Sequence, residues 1–313
     1  MALMTRLLKP PAVAPGAGIS IVAPASFALP ERASRGVEAL RKLNYAPRPG
    51  RPTLGHGPLY FAGTPAQRLN ELHAAFSSKS THMVAALRGG YGSNYLLEEI
   101  DLQLIARHPK PFFAYSDLTG IQLLLLDKIG LPAFHGPMVA ADFDSEEGVH
   151  LASFHAALAG VPYSVGAAEG LRTLKRGKAR GTLYGGCLSI LAALVGTPFE
   201  PKTEGKILFL EDTGVKPYQV DRLLWQLLQA GKFARVGGIV FGEMIDCVSP
   251  GAPTDLLEQT ILHVFRDLDI PIAVGLRSGH VSHQNVTLTF GVKAELDLGK
   301  EPQLRLPEPA VTR

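Results

Sequence analysis

Cysteine is almost missing from this chain: Cys187 and Cys247 are the two among 313 residues. Two cysteines staple little at such a length, so they read as reduced thiols in a cytosolic protein; a pairing would need Cα atoms within about 7 Å. An excess of one charge is also lacking. The 31 basic and 28 acidic residues leave a formal net charge of +3, and no run of five basic residues occurs. That balance argues against a nucleic-acid partner. No stretch reaches the roughly 18 apolar residues of a membrane span; candidates such as Ile121–Leu126 are far shorter. The N-terminal run MALMTRLLKPPAVAPGAG is interrupted by Arg6, Lys9, Pro10 and Pro11, so it lacks the apolar region of an export signal. A cytoplasmic protein with no membrane association is expected. There is no H-E-x-x-H, no CxxC and no carboxylate cluster at ligand spacing, so neither a metal nor a cofactor is expected.

With 46% hydrophobic and 19% charged residues, the chain has the balance of a globular protein with an ample core. Its first half alternates short apolar runs with helical patterns. Ile19–Ala23, Met83–Leu87 and Phe112–Tyr115 read as buried strands, and Leu59–Ala62 is a further short apolar run. Glu31–Leu43, Pro65–Phe76 and Asp117–Ile129 read as helices, the second with Thr64 as N-cap and the third stopped by Gly130. This alternation predicts a mostly parallel sheet covered on both faces. Around 143–180 the pattern loosens, and Val161–Gly181 is rich in glycine and basic residues. Farther on, Ile207–Leu210 and Gly238–Phe241 read as strands, and Tyr218–Gln229 and Thr254–Leu268 as amphipathic helices. Trp225, on the first of these helices, reads as a packing residue. Short strands follow from Ile272, and the Pro-rich tail EPQLRLPEPAVTR reads as frayed. The predicted fold class is α/β. A Rossmann-like parallel-sheet domain over 1–160 is joined by a linker over 161–180 to a smaller β-rich domain with a few helices over 181–313.

Four local features could carry chemistry, and each has a plain alternative. Ser116 follows a strand and precedes a helix, where ligands gather in open α/β sheets. Its flanks are Ala114 and Leu118 rather than the glycines of G-x-S-x-G, so on local context alone it reads as a helix cap ahead of a nucleophile. Arg88-Gly89-Gly90-Tyr91-Gly92 follows the strand Met83–Leu87 and could present backbone N–H groups to an anion, or be a tight loop. Glu211-Asp212 ends a strand, where an acid can orient a histidine or simply be solvated. His280 follows Gly279 in a loop that could be plain polar surface. The other histidines form no metal pattern. His73, His155 and His263 fall on helices, and His135 precedes Gly136-Pro137 as a loop-fixing residue.

Together, and in this order, the pieces resemble the LD-carboxypeptidases, a family that includes the microcin C immunity peptidases. The resemblance runs from about residue 18 to about 293. It rests on Ala62-Gly63-Thr64, Leu87–Ser93, Pro109–Thr119 and His135-Gly136-Pro137 in the first half. Leu183–Gly186, Gly196-Thr197-Pro198, Leu208–Asp212 and Gly275–His280 carry it through the second. It implies a Ser-Glu-His triad: Ser116 as nucleophile, Glu211 as acid and His280 as base. It also implies an oxyanion hole from the backbone of Asp117 with Gly89 or Gly90, and a basic residue, Arg88 or Arg277, for the substrate carboxylate. The implied activity is removal of the terminal D-alanine from cytosolic murein tetrapeptide by a homodimeric enzyme. The alternatives are a microcin C immunity-type hydrolase of aminoacyl nucleotide analogues and a non-catalytic anion-binding protein. The chain departs from the family pattern at Ala114, where glycine is usual, and at Cys187, where asparagine is usual.

Overall fold

A computed structural model describes residues 7–50, 57–248 and 251–313. The first six residues, part of the run read above for an export signal, lie outside that range. In chain order the strands are β1 (Gly18–Val22), β2 (Ala46–Pro49), β3 (Met83–Ala86), β4 (Phe112–Ala114), β5 (Ala133–His135), β6 (Tyr163–Gly166) and β7 (Arg172–Lys175). They continue as β8 (Lys178–Cys187), β9 (Lys206–Glu211), β10 (Gly238–Gly242), β11 (Ile272–Leu276), β12 (Leu288–Phe290), β13 (Lys293–Asp297) and β14 (Gln303–Leu306). The helices are α1 (Pro30–Lys42), α2 (Pro65–Ser77), α3 (Leu102–Arg107), α4 (Thr119–Ile129), α5 (Leu151–Ala159), α6 (Leu188–Ala193), α7 (Pro217–Gln229) and α8 (Leu256–Val264). None is long and apolar enough to cross a membrane, among the described residues.

The chain divides into two units. One comprises Met1–Val161, His283–Gly291 and Pro309–Arg313; the other comprises Pro162–Ser282 and Val292–Glu308.

The first unit holds a six-stranded sheet in the order β12-β5-β4-β3-β1-β2. All its pairs are parallel except β12 with β5. Its strands are short apolar runs because helices cover both faces: every residue of β1, β3 and β4 is buried. Pro47 and Pro49 of β2 concealed this strand in the sequence; as the edge strand, it tolerates residues that cannot donate to a ladder. The α2 cap is the expected one: the Thr64 hydroxyl accepts from Gln67 N and the Gln67 side chain accepts from Thr64 N. In α4 every residue from Thr119 to Leu126 is buried. Its Gln122 amide donates to the carbonyls of Ala114 and Phe134 at 2.9 Å each, tying the helix to the ends of β4 and β5. Gly130, at φ 73°, stops it. Leu59–Ala62 is not a strand; Phe61 makes an isolated bridge with Ser26.

The second unit is built on an eight-stranded mixed sheet, β6-β14-β13-β8-β9-β10-β11-β7. The central strands β8, β9, β10 and β11 are parallel, and antiparallel pairs flank them. On α7, Val220, Leu224 and Leu227 form the buried stripe. Trp225 lies off that stripe and is 48% exposed, so it does not have the packing role the pattern suggested.

Three expectations need correction. The stretch 161–180 is not a linker: it supplies β6 and β7, the two outermost strands of the second sheet, and the start of β8. Its basic residues suit solvated strands, as in the exposed pairs Arg172–Glu258, Lys178–Asp297 and Arg180–Glu295, and so imitate linker composition. Nor does 181–313 form one body, because β12 returns to pair with β5 of the first sheet. Finally, the C-terminal tail is ordered. It forms β14, and Thr312 exchanges backbone hydrogen bonds at 2.8 Å with Pro10 and Ala12.

The return strand is a test of this topology. Phe290 is fully buried and stacks near the His135 ring at 5.2 Å. Phe290→Ala is expected to cost about 3–5 kcal/mol, read by urea unfolding.

Candidate active site

The loops following β1, β3 and β4 emerge at the carboxyl edge of the first sheet, where parallel sheets collect ligands. After β4, Tyr115 is extended and Ser116 turns into a left-handed conformation at φ 63°. A short 3-10 turn over Ser116–Leu118 then leads into α4. The capping alternative fails here: neither this turn nor α4 has a side-chain cap hydrogen bond, and Ser116 is outside the β-region an N-cap adopts. A non-glycine residue in this conformation carries strain of about 1–3 kcal/mol, which the surrounding structure must hold.

The glycine loop supplies part of that hold. A side chain at Gly89 would place its Cβ 2.8 Å from Ser116 Cβ, 3.0 Å from Ser116 Oγ and 3.5 Å from Asp117 N. Glycine is therefore required for close approach of this backbone to the serine. Ser26, after β1, fixes the loop: its N–H donates to Gly89 O at 3.2 Å, and its hydroxyl accepts from Tyr91 N at 3.1 Å. Asp117 is buried, and its carboxylate accepts from Ser93 N at 2.8 Å. Burial raises its pKa, opposed by the Ser93 and Gly92 hydrogen bonds and by the charge of Arg68.

In the second unit, Glu211 ends β9 with no solvent exposure. Its Oε2 lies 2.7 Å from His280 Nδ1 and accepts from His280 N at 3.1 Å. This fixes the imidazole twice, once through its ring and once through its backbone. With the carboxylate ionised, Nδ1 carries the proton and Nε2 is left as an acceptor. Gly279 makes the contact possible. It sits at φ +87°, and a Cβ there would fall 2.6–2.8 Å from Cδ, Oε2 and Cγ of Glu211. The adjacent Asp212 turns elsewhere, accepting from Ser189 N at 2.8 Å and Ser189 Oγ at 2.5 Å.

Of the two candidate carboxylate anchors, Arg277 is already engaged, donating from Nη2 to Ala168 O at 2.5 Å. Arg88 is exposed beside Gly89, with one bond of 3.2 Å to Phe27 O. No group of three or more His, Cys, Asp or Glu able to hold a metal occurs among the described residues. His135 is a fully buried residue ending β5. Ser26, Arg68 and Ser93 were not singled out in the sequence. Arg68 left one trace there, a charge on the apolar stripe that Leu72, Ala75 and Phe76 mark on α2.

Cys187 pairs in register with Glu211 across β8 and β9. Burial raises its thiol pKa well above the ordinary range, and the charges of Glu211 and Asp212 raise it further. Burial likewise pushes Cys247 up to about 11. Both are free and buried. Both shifts favour the neutral thiol, so at pH 8 neither cysteine is expected to react with Ellman's reagent in the native protein, while denaturation should release two equivalents.

The chain matches the LD-carboxypeptidase N-terminal domain over residues 19–136 and the LD-carboxypeptidase C-terminal domain over 180–296. It is 33% identical over 299 residues to a probable murein peptide carboxypeptidase of Bacillus subtilis, covering 94% of this chain and 92% of that one. A muramoyltetrapeptide carboxypeptidase from Oxalobacter formigenes has the same fold, with a TM-score of 0.83 and 29% identity over 94% of this chain and 100% of that one. The microcin immunity protein MccF, solved with glutamyl sulfamoyl guanosine, reaches a TM-score of 0.90 at 23% identity over 97% of this chain and 100% of that one. At that identity the likeness concerns the fold alone. The chain therefore belongs to the LD-carboxypeptidase family and is a hydrolase of its serine type.

Proposed function

We propose that the protein is a cytosolic serine carboxypeptidase that hydrolyses the L-D amide bond before the terminal D-alanine of murein tetrapeptide. Ser116 is the nucleophile, His280 the general base and Glu211 the acid that orients it. The observation that carries this reading is the His280–Glu211 pair at 2.7 Å; with Nδ1 donating to the ionised carboxylate, Nε2 is the proton acceptor. The left-handed Ser116 pressed against Gly89 supports it. The anion-binding alternative relied on Ser116 as a helix cap, and no such bond exists.

In the proposed reaction, Ser116 Oγ attacks the scissile carbonyl while His280 Nε2 takes its proton. Glu211 stabilises the resulting imidazolium. The backbone N–H of Asp117, with one from Gly89 or Gly90, holds the oxyanion; one such donor is worth about 10²–10³ in rate. As the C–N bond breaks, the leaving D-alanine nitrogen receives the proton from His280. Water then attacks the acyl-serine, again giving its proton to His280, and Ser116 recovers a proton as the peptide leaves. Arg88 is the proposed partner of the substrate carboxylate, a charge-assisted contact.

A second reading is favoured by one feature. Tyr91, two residues from Gly89, forms a ring cluster with Tyr60 at 5.6 Å and Tyr95 at 6.2 Å, and all three are substantially exposed. Such rings can stack a nucleobase, as an aminoacyl nucleotide substrate would need.

Release of D-alanine from murein tetrapeptide tests the main reading. Ser116→Ala and His280→Ala should each lower kcat by at least about 10⁴-fold, and Glu211→Gln by about 10²–10⁴-fold. Unchanged turnover in Ser116→Ala would falsify the nucleophile. Arg88→Gln should raise KM about tenfold with a smaller change in kcat. Faster turnover of an aminoacyl sulfamoyl nucleotide than of tetrapeptide would favour the second reading.

A further inference from the structure

We infer that Arg68 is a positioning residue of the active site, its buried guanidinium clamping the loop whose Gly89 lies against Ser116. The inference rests on the reading of Ser116 as nucleophile. Arg68 lies on the inner face of α2 with no solvent exposure. Its Nε donates to Gly63 O at 3.1 Å, and its Nη1 donates to Pro24 O at 2.5 Å and Gly92 O at 2.7 Å. One side chain thus joins the segment after β1, the segment before α2 and the loop after β3. Its guanidinium carbon sits 4.9 Å from the centre of the Phe61 ring.

The clamp continues to the nucleophile through successive contacts. Gly92 is held at φ +116°, and a Cβ there would meet the Phe61 ring at 2.5 Å and Arg68 Nη1 at 3.2 Å. The next residue, Ser93, donates from N to the Asp117 carboxylate at 2.8 Å and from Oγ to Asp117 O at 2.7 Å. Asp117 follows Ser116 and contributes the proposed oxyanion N–H. Arg68 and Asp117 are both buried, and each charge eases the desolvation of the other. Nη2 has no hydrogen-bond partner among the described residues, so the guanidinium is not optimised for stability alone. A buried charge is costly, and an apolar residue of similar volume often serves stability as well. What an apolar residue cannot do is hold three carbonyls at fixed positions. Misplacement of reacting groups by about 1 Å costs about 10²-fold in rate.

The test uses full-length Arg68→Lys, Ser93→Ala and Ser116→Ala. Lysine keeps the charge but lacks the planar fork that reaches all three carbonyls. Arg68→Lys and Ser93→Ala should each lower kcat for tetrapeptide by about 10- to 100-fold with KM within about threefold, and should slow labelling of Ser116 by a fluorophosphonate in parallel. A residue that only stabilises the fold would lower the melting temperature without this split. The inference is overturned if the folded variants keep kcat within about twofold of the parent. If Arg68→Lys does not fold, Ser93→Ala decides on the same criterion. Should Ser116→Ala itself retain turnover, the nucleophile assignment has failed. Should Ser116→Ala be inactive while the other two keep the parent kcat, only the clamp has failed.

Discussion

Parallel pairing of β1, β3, β4 and β5 has one unavoidable consequence: the segments that leave these strands all start from the same edge of the sheet. Ser26, Gly89, Ser116 and Gly136 come from four successive such segments. Their backbones are hydrogen-bonded across the edge, Ser26 N to Gly89 O and Gly136 N to Ala114 O. The strained φ of Ser116 survives because this edge is crowded. Gly89 leaves no room on one side, and the Asp117–Ser93 bonds hold the other. A single relaxed residue here would face the cost of moving its neighbours.

The second unit solves a different problem, a carboxylate with no exposure to water. Glu211 is stabilised by the ring and backbone of His280, and Gly279 and Gly242 keep their side-chain space clear for it. The neighbouring Asp212 is stabilised separately by Ser189 and Thr213, so the two acids at the end of β9 have unlike surroundings and unlike roles. Cys187 fits beside them because a thiol kept neutral by burial adds no charge to the site. The departure from the family's asparagine thus leaves the Glu211–His280 contact in place. At Ala114 the extra methyl is accommodated in a fully buried strand whose carbonyl is bound by Gln122.

What was readable beforehand follows from how local each signal is. Strongly apolar runs such as GISIV and MVAA announced buried strands, and Thr64-Pro65 with Gln67 announced a helix start, because each depends on a few adjacent residues. Edge strands were missed. Ala46–Pro49 carries no apolar run to mark it and Arg172–Lys175 falls in the stretch read as linker, since a half-solvated edge needs little apolar surface. The exposed face of Trp225 was likewise invisible, because periodicity marks a stripe without fixing its limits.

By itself the sequence determined the α/β class and the family, and singled out Ser116, Glu211 and His280 as candidates, through motifs of a few contiguous residues in a set order. Only tertiary structure decided that Ser116 is left-handed rather than a cap, that Glu211 and not Asp212 holds His280, and that 283–291 returns to the first sheet. It also decided that Arg68, a charge on an apolar stripe, binds the carbonyl of Gly92 in the loop after β3. These outcomes depend on contacts between residues 24 to 157 positions apart, and such contacts are selected by packing and by the cost of burying an unpaired polar group, which no local pattern encodes.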